Sequence, residues 1–130
     1  MKNLNKKDYK ICIVGLGYVG LPLAARFSLK GFDVTGFDIK EERINQLTNK
    51  IDINNDISDK NLVTLVKNAK LTSNIDDIKE SNIFIITVPT PINEDKTPDL
   101  NPLESSSQLV GRVLQKDSIV IYESTVYPGV

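Results

Sequence analysis

Three glycines with the spacing G-x-G-x-x-G stand near the start of the chain, in the hexapeptide "GLGYVG" of residues 15–20. An apolar run precedes them and a helical pattern follows, which is the context in which this spacing binds a dinucleotide. The first glycine permits a tight turn, the second lets the backbone approach a pyrophosphate, and the third lets helix and strand pack closely. N–H groups at the helix start hold the anion without a lysine. Glycine-rich turns also serve plain strand-to-helix packing, so the hexapeptide alone leaves both interpretations open.

An acidic residue stands where a dinucleotide-binding unit needs one. Asp38 ends the second strand-like segment, eighteen residues after Gly20, and a carboxylate there accepts hydrogen bonds from the hydroxyls of an adenosine ribose. The same charge repels a 2′-phosphate, so the pattern predicts NAD rather than NADP as the cofactor. Asp38 is also placed to cap the helix predicted over "KEERINQL", and both roles are compatible.

The composition restricts the remaining chemistry. The 130 residues include sixteen basic and seventeen acidic side chains, one cysteine and no histidine. We therefore expect no nucleic-acid or membrane partner, no metal site, and neither a zinc enzyme nor a self-contained hydrolase. Cys12 lies in an apolar run and is expected to be a core residue. Because no stretch is long enough to span a membrane and the N-terminus is too polar for a signal peptide, we expect a cytoplasmic protein.

Strand-like and helix-like patterns alternate along the chain. Gly31 is expected to end the first helix, and Ser58 to cap the third. Asn101, Pro102 and Glu104 suggest the N-cap, N1 and N3 positions of the last helix, close to a capping box. Apolar runs predict strands over residues 10–14, 32–38, 69–73, 82–88 and 118–122, and helical periodicity predicts helices over 21–31, 40–49, 58–68 and 101–114, with a short turn near 75–81.

This alternation predicts a single α/β domain over residues 10–130, with a Rossmann-like, doubly wound and mostly parallel sheet, preceded by a polar tail over residues 1–9. Ligands of such folds bind at the carboxyl ends of the strands. The loops at residues 15–20, 87–92 and 123–127 all follow predicted strands, so we expect them to converge on one edge. The polar loop that follows the second helix receives no role from its sequence.

Four segments make the pattern more specific. In this order and at these spacings, "GLGYVGLPLA", "FDIKEERI", "TVPTPI" and "YESTVYPG" resemble the N-terminal NAD-binding domain of the UDP-glucose/GDP-mannose dehydrogenase family, over essentially the whole chain from Lys10 onward. Within that family, "VPTPINEDKTPDLNPL" together with "IVIYESTVYPG" is most similar to the UDP-N-acetylhexosamine 6-dehydrogenases, which supply uronic acids for capsule and O-antigen polysaccharides.

The resemblance implies NAD contacts at individual positions. The glycine turn would embrace the pyrophosphate, Asp38 would bind the adenosine ribose, and Arg43 would lie beside the adenosine half. From its helix position alone, Arg43 is expected to be a solvated charge. The implied contacts are Gly15, Leu16, Gly17, Tyr18, Val19, Gly20, Asp38, Ile39, Arg43, Val88, Pro89, Thr90, Ser124 and Thr125.

Two later segments would reach the nicotinamide half. Residues 88–90 would line the cofactor between adenine and nicotinamide, although a stiff strand exit is the alternative, above all at Pro91. The resemblance places Ser124 and Thr125 beside the nicotinamide. There the hydroxyl of Thr125, the implied catalytic residue, would help to position a water. A hydroxyl at this place also suits a turn ahead of Pro128.

The resemblance also implies a reaction for a longer parent enzyme. The parent enzyme is expected to oxidise C6 of a UDP-N-acetylhexosamine to the carboxylate with two NAD, through a thiohemiacetal and a thioester on a cysteine. The family's catalytic lysine, asparagine and cysteine and its dimer helix belong to sequence beyond Val130. We therefore expect the central and C-terminal domains to be absent here, the chain to be inactive alone, and the parent to be a homodimer. Lys50 stands where relatives often have glycine, so the loop after it is expected to differ in shape.

Two other interpretations share the glycines and the ribose acid. An NAD-sensing regulatory domain of an ion-transport system is a single Rossmann unit of about this size. A β-hydroxyacid dehydrogenase has the same cofactor fold. Neither accounts for the "VPTP" loop together with "ESTVYPG", and this pair favours the nucleotide-sugar dehydrogenase.

Overall fold

A computed structural model of the protein describes residues 5–130, and within this range the strands form one parallel sheet. The strand order is β3-β2-β1-β4-β5, and every neighbouring pair is parallel. Successive connections run outward in opposite directions from β1, so the crevice between β1 and β4 is the switch point where such sheets bind ligands. The predicted doubly wound α/β fold is confirmed. The strands are β1 (Lys10–Val14), β2 (Asp33–Phe37), β3 (Lys70–Thr72), β4 (Ile83–Ile86) and β5 (Ile119–Tyr122).

The helices follow the strands as the periodicity predicted. Gly31, at φ +83°, follows the end of the first helix, and the Ser58 hydroxyl caps the third by accepting the Asn61 N–H at 3.3 Å. Both expectations are confirmed. The helices are α1 (Gly20–Leu29), α2 (Glu41–Thr48), α3 (Asp59–Asn68) and α4 (Asn101–Val113), with short 3₁₀ turns at Lys6–Asp8 and Ile75–Ile78.

The start of α4 differs from its prediction by one residue. Leu100, not Asn101, is the N-cap, and no side chain caps this helix. The Asp99 carboxylate accepts the Asn101 N–H at 2.9 Å, and the Glu104 N–H donates to the Leu100 carbonyl. The capping box over Asn101 and Glu104 is therefore wrong, because Asp99 turns the chain into helical geometry earlier.

Apolar side chains cover both faces of the sheet. On β1, Ile11 and Ile13 join the cluster formed with α1 and α3, whereas Cys12 and Val14 join the cluster formed with α4. This alternation places β1 at the centre of the core. Cys12 is fully buried, as expected, and burial raises the pKa of its thiol to about 12.

Part of the predicted N-terminal tail has regular structure. Residues 1–4 lie outside the described part of the chain, but the Asn5 side chain caps the turn Lys6–Asp8. The ring of Tyr9 lies 6.3 Å from that of Phe32. No helix within residues 5–130 is long and apolar enough to cross a membrane.

Candidate cofactor-binding site

The glycine turn between β1 and α1 needs its three glycines for three different reasons. Gly15 adopts φ +97°, a conformation that other residues reach only with strain. A Cβ added at Gly20 would overlap the Gly15 carbonyl oxygen and Thr87 Oγ1, so only glycine lets α1 begin this close to β1. A Cβ added at Gly17 would meet no atom within 4 Å. The space beside Gly17 is therefore open to a ligand that approaches the backbone.

Two charged side chains hold the middle of this turn in place. The Leu16 N–H donates to Asp38 Oδ2 at 2.9 Å, and the Leu16 carbonyl accepts from Arg43 Nε at 2.9 Å. The Leu16 side chain is fully buried. The turn is thus fixed before any ligand arrives, which lowers the entropy cost of binding.

Asp38 has acceptor capacity left for a ligand. Its other oxygen, Oδ1, accepts the Lys40 N–H at 3.0 Å, and the N-cap of α2 is Lys40, without a side-chain cap bond. Asp38 therefore shapes the entry to α2 but is not its N-cap. A carboxylate offers about four acceptor positions, so each oxygen can accept one further hydrogen bond, as a ribose diol requires.

Arg43 is buried, which contradicts the solvated charge expected from its helix position. Its guanidinium pairs with Asp52 Oδ1 at 3.1 Å and Asp56 Oδ2 at 3.2 Å, and only 10% of its side chain is exposed. Arg43 lies four residues before the buried Leu47 on the same helix face. That position on the apolar stripe is the signal that predicts a buried arginine with acidic partners.

Thr87 holds the start of the glycine turn through its hydroxyl, a role that the sequence does not predict. Its buried hydroxyl lies 2.7 Å from the Gly15 carbonyl oxygen and 3.1 Å from that of Val14. These bonds join the end of β4 to the end of β1, across the switch point of the sheet. No motif in the sequence marks this role, because the contact depends on the parallel pairing of two distant strands.

The three predicted loops converge on one edge, as expected. Besides the Thr87 contacts, Ser124 Oγ donates to the Val88 carbonyl at 2.9 Å, and Thr90 Oγ1 donates to the Thr125 carbonyl at 2.7 Å. These hydroxyls tie the loop after β4 to the loop after β5. The side chain of Thr125 is exposed.

A cavity of about 580 Å³ opens at this edge. Eight of the predicted NAD contacts line it: Gly15, Leu16, Gly17, Asp38, Ile39, Arg43, Val88 and Pro89. The other six lie outside its lining: Tyr18, Val19, Gly20, Thr90, Ser124 and Thr125. The lining also includes residues that the sequence did not suggest, among them Ile53, Asn54, Thr87, Pro102 and Leu109.

The donors, acceptors and apolar groups of this cavity fit NAD. Open backbone at Gly17, at the start of α1, suits a pyrophosphate, and the Asp38 carboxylate suits a ribose diol. Apolar side chains such as Ile39 and Val88 suit flat rings. Within residues 5–130, no group of three or more cysteine, aspartate or glutamate side chains is arranged to hold a metal ion.

Comparisons with known proteins agree with this geometry. The sequence profile of the UDP-glucose/GDP-mannose dehydrogenase family, NAD binding domain, matches residues 9–130. The chain is 52% identical over 122 residues to a UDP-N-acetyl-D-glucosamine 6-dehydrogenase of Salmonella typhi, covering 94% of this chain and 28% of the relative. It is 50% identical over 119 residues to Protein CapL of Staphylococcus aureus, covering 92% of this chain and 27% of the relative.

A solved structure shows the same fold. The UDP-D-ManNAc dehydrogenase of Pyrococcus horikoshii superposes with a TM-score of 0.84 at 38% identity, covering 92% of this chain and 29% of that one. The chain thus spans less than a third of the length of these relatives. The profile match over 122 residues and the placement of the glycine turn and Asp38 lead to one conclusion: the chain belongs to the UDP-glucose/GDP-mannose dehydrogenase family, as its NAD-binding domain.

Proposed function

We propose that the chain is the cofactor-binding part of a nucleotide-sugar 6-dehydrogenase, which oxidises C6 of a UDP-N-acetylhexosamine to the uronic acid with two NAD. The observation that carries the proposal is the cavity in which open backbone at Gly17 and the Asp38 carboxylate face one space. The names of two relatives, 52% and 50% identical to this chain, supply the substrate class. Capsule or O-antigen synthesis in the cytoplasm is the setting that this reaction suggests.

In this proposal each loop holds one part of NAD. The turn from Gly15 to Gly20 binds the pyrophosphate with backbone N–H groups, and Asp38 accepts from the adenosine ribose while Ile39 covers it. Val88 and Pro89 line the middle of the cofactor. NAD, when bound, supplies a hydride acceptor at its nicotinamide ring.

The loop after β5 would serve the nicotinamide end. Thr125 has an exposed side chain, and its backbone carbonyl is held by the Thr90 hydroxyl, so the loop is positioned while the Thr125 hydroxyl stays available to orient a water. Thr90 and Ser124 then contribute as positioning residues whose hydroxyls bond to the opposite loop.

The sugar and the covalent chemistry would come from sequence outside this chain. Cys12, the only cysteine in the sequence, is buried in β1 and has a raised thiol pKa, so it is not a nucleophile. We propose that the 130 residues bind NAD without turnover, and that the sugar-binding and dimer-forming parts complete a homodimeric parent. The exposed side chains of Ile119 and Ile121 on β5 support this, because they lie on one face of the strand and offer an apolar surface for further chain.

Family membership weighs against a purely regulatory domain. An NAD sensor needs the glycine turn and the ribose acid, but it gives no reason for the loop after β4 to be bonded to the loop after β5 at a nicotinamide position. The bonds from Thr90 and Ser124 support a cofactor site that is shaped at both ends.

The deciding experiment joins this chain to the sugar-binding and catalytic domains and counts NADH released per sugar nucleotide. UDP-GlcNAc, UDP-GalNAc, UDP-ManNAc and UDP-glucose are compared, each with NAD and with NADP. We expect two NADH per acetamido sugar, and NAD to be preferred. NAD binding without NADH from any sugar nucleotide would overturn the proposed reaction and favour the regulatory role. Steady NADH production by the 130 residues alone would overturn the assignment of catalysis to other domains.

A further inference from the structure

The loop between α2 and α3 has a fixed shape, although its sequence is polar. It leaves α2 through Lys50, whose φ is +62°, and turns again at Asn55, whose φ is +54°. Asp52 Oδ2 accepts the N–H groups of Asp56 at 2.6 Å and Ile57 at 3.1 Å. The backbone of the loop is thus folded around one carboxylate.

The guanidinium of Arg43 ties this folded loop to the rest of the site. It bonds to Asp52 and Asp56 on the loop and to the Leu16 carbonyl in the glycine turn. The side chains of Asp52 and Asp56 are 4% and 10% exposed, so these pairs are shielded from water. One buried group therefore sets the position of the loop relative to the glycine turn.

The loop contains two exposed isoleucines, of which one lines the cavity. Ile51 and Ile53 are 52% and 63% exposed, so neither belongs to the core. Ile53 lines the cavity and Ile51 does not. When a ligand covers a large apolar side chain in a cavity, the apolar area removed from water makes the binding free energy more favourable.

We propose that the loop of residues 51–57 is a preformed wall of the NAD site, and that Ile53 packs against the adenosine half of the cofactor. The adenosine half is favoured because the loop is bound to Arg43 on α2, and α2 begins at Glu41, three residues after Asp38. Ile39, which follows Asp38, lines the same cavity. The inference rests on the proposal that this cavity holds NAD through Asp38 and the glycine turn.

The test compares Ile53→Ser with the matched variant Ile51→Ser in the full 130-residue chain. Dissociation constants for NAD and for ADP-ribose are measured by titration calorimetry, and unfolding midpoints are measured without ligand. Ile53→Ser should weaken both ligands by the same factor, about three- to ten-fold, because the lost contact lies on the half they share. Ile51→Ser should change neither by more than about two-fold, and Ile53→Leu should restore binding.

Each other result is decisive. Equal effects of the two serine variants, or a loss confined to NAD with ADP-ribose unchanged, would overturn the proposed contact. A lower unfolding midpoint for Ile53→Ser than for Ile51→Ser would show that Ile53 supports the fold rather than the ligand. If the unaltered chain binds neither NAD nor ADP-ribose, the result overturns the proposal that this cavity holds NAD, on which the role of Ile53 rests.

Discussion

At the scale of single residues, the glycine turn separates a requirement for folding from a requirement for binding. Gly20→Ala should destabilise the chain by about 3 kcal/mol or more, because the added methyl overlaps the Gly15 carbonyl and Thr87. Gly17→Ala should fold normally, since the space there is open, but should weaken NAD by at least about ten-fold by filling the room for the pyrophosphate. Denaturant unfolding and calorimetric titration of both variants measure the two effects. Similar behaviour of the two variants would contradict the separate roles.

The predictable residues of the site are those whose type and spacing meet a specific need of dinucleotide binding. The three glycines and Asp38 are marked by spacing, and their placement in the cavity lining or beside it follows from local chain geometry. The burial of Arg43 is marked by its position on the apolar stripe of α2, but its partners, Asp52 and Asp56, lie in a loop without a motif. Pairing between a helix and an irregular loop leaves little trace in periodicity, so spacing alone does not predict these partners.

Lys50 shows a conformational cost that a substitution can remove. That the loop differs in shape from the loop of relatives with glycine here stays a prediction. Lys50 itself adopts the left-handed backbone, at φ +62°, that glycine adopts readily. Lys50→Gly should raise the free energy of unfolding by about 0.5–1 kcal/mol, the relief of strain exceeding the added entropy of the unfolded chain. Lys50→Ala, which keeps the strain, serves as the control in urea unfolding. A stability gain from alanine as large as that from glycine would rule out this explanation.

At the scale of elements, the sequence located the helices and strands well because their patterns are local. The first residues of α4 were misplaced because Asp99, outside the apolar pattern, bonds to the Asn101 N–H. Likewise, the wall formed by residues 51–57 depends on a single carboxylate that gathers the loop backbone. Such side-chain-to-backbone bonds compete with the standard cap patterns, so spacing alone does not place them.

The side chain of Ser58 caps the N-terminus of α3. The Ser58 hydroxyl accepts the Asn61 N–H, and its loss leaves a helix-terminal donor without its protein partner. Ser58→Ala should lower the free energy of unfolding by about 1 kcal/mol, while Ser58→Asp should keep it nearly unchanged. Thermal and urea unfolding of the two variants provide the comparison. Equal losses for alanine and aspartate would show that the hydroxyl contributes through packing instead.

At the scale of the whole molecule, the order β3-β2-β1-β4-β5 explains why distant motifs form one site. Strands β1 and β2 lie on one side of the switch point, and β4 and β5 lie on the other. The loops after β1, β4 and β5 therefore meet at the carboxyl edge of the sheet. Alternation of strands and helices predicted this convergence. The Thr87 bonds across it were not predictable, because they depend on the β1–β4 register.

The central strand also provides a probe of the entire fold. Cys12 is fully buried in β1 within the core cluster formed with α4, and burial raises its thiol pKa from 9.0 to about 12. Labelling by a disulfide reagent at pH 8 should therefore wait for opening of the core, since only the thiolate reacts. NAD at about one hundred times its Kd should slow labelling about one hundred-fold, by binding only the closed state. Guanidinium-unfolded chain, labelled at once, is the control.

The same thiol sets the sign of a pH effect. Because its pKa is higher in the folded chain, the unfolded state releases the proton first as the pH rises past 9.0. The contribution of Cys12 to stability is complete below that pH and is lost progressively toward pH 12. Cys12→Ala should remove this part of the alkaline loss in urea unfolding at pH 8 and pH 10. In the labelling experiment at pH 8, a rate that NAD fails to lower, in a chain that binds NAD, would show instead that β1 opens locally without disturbing the cofactor site.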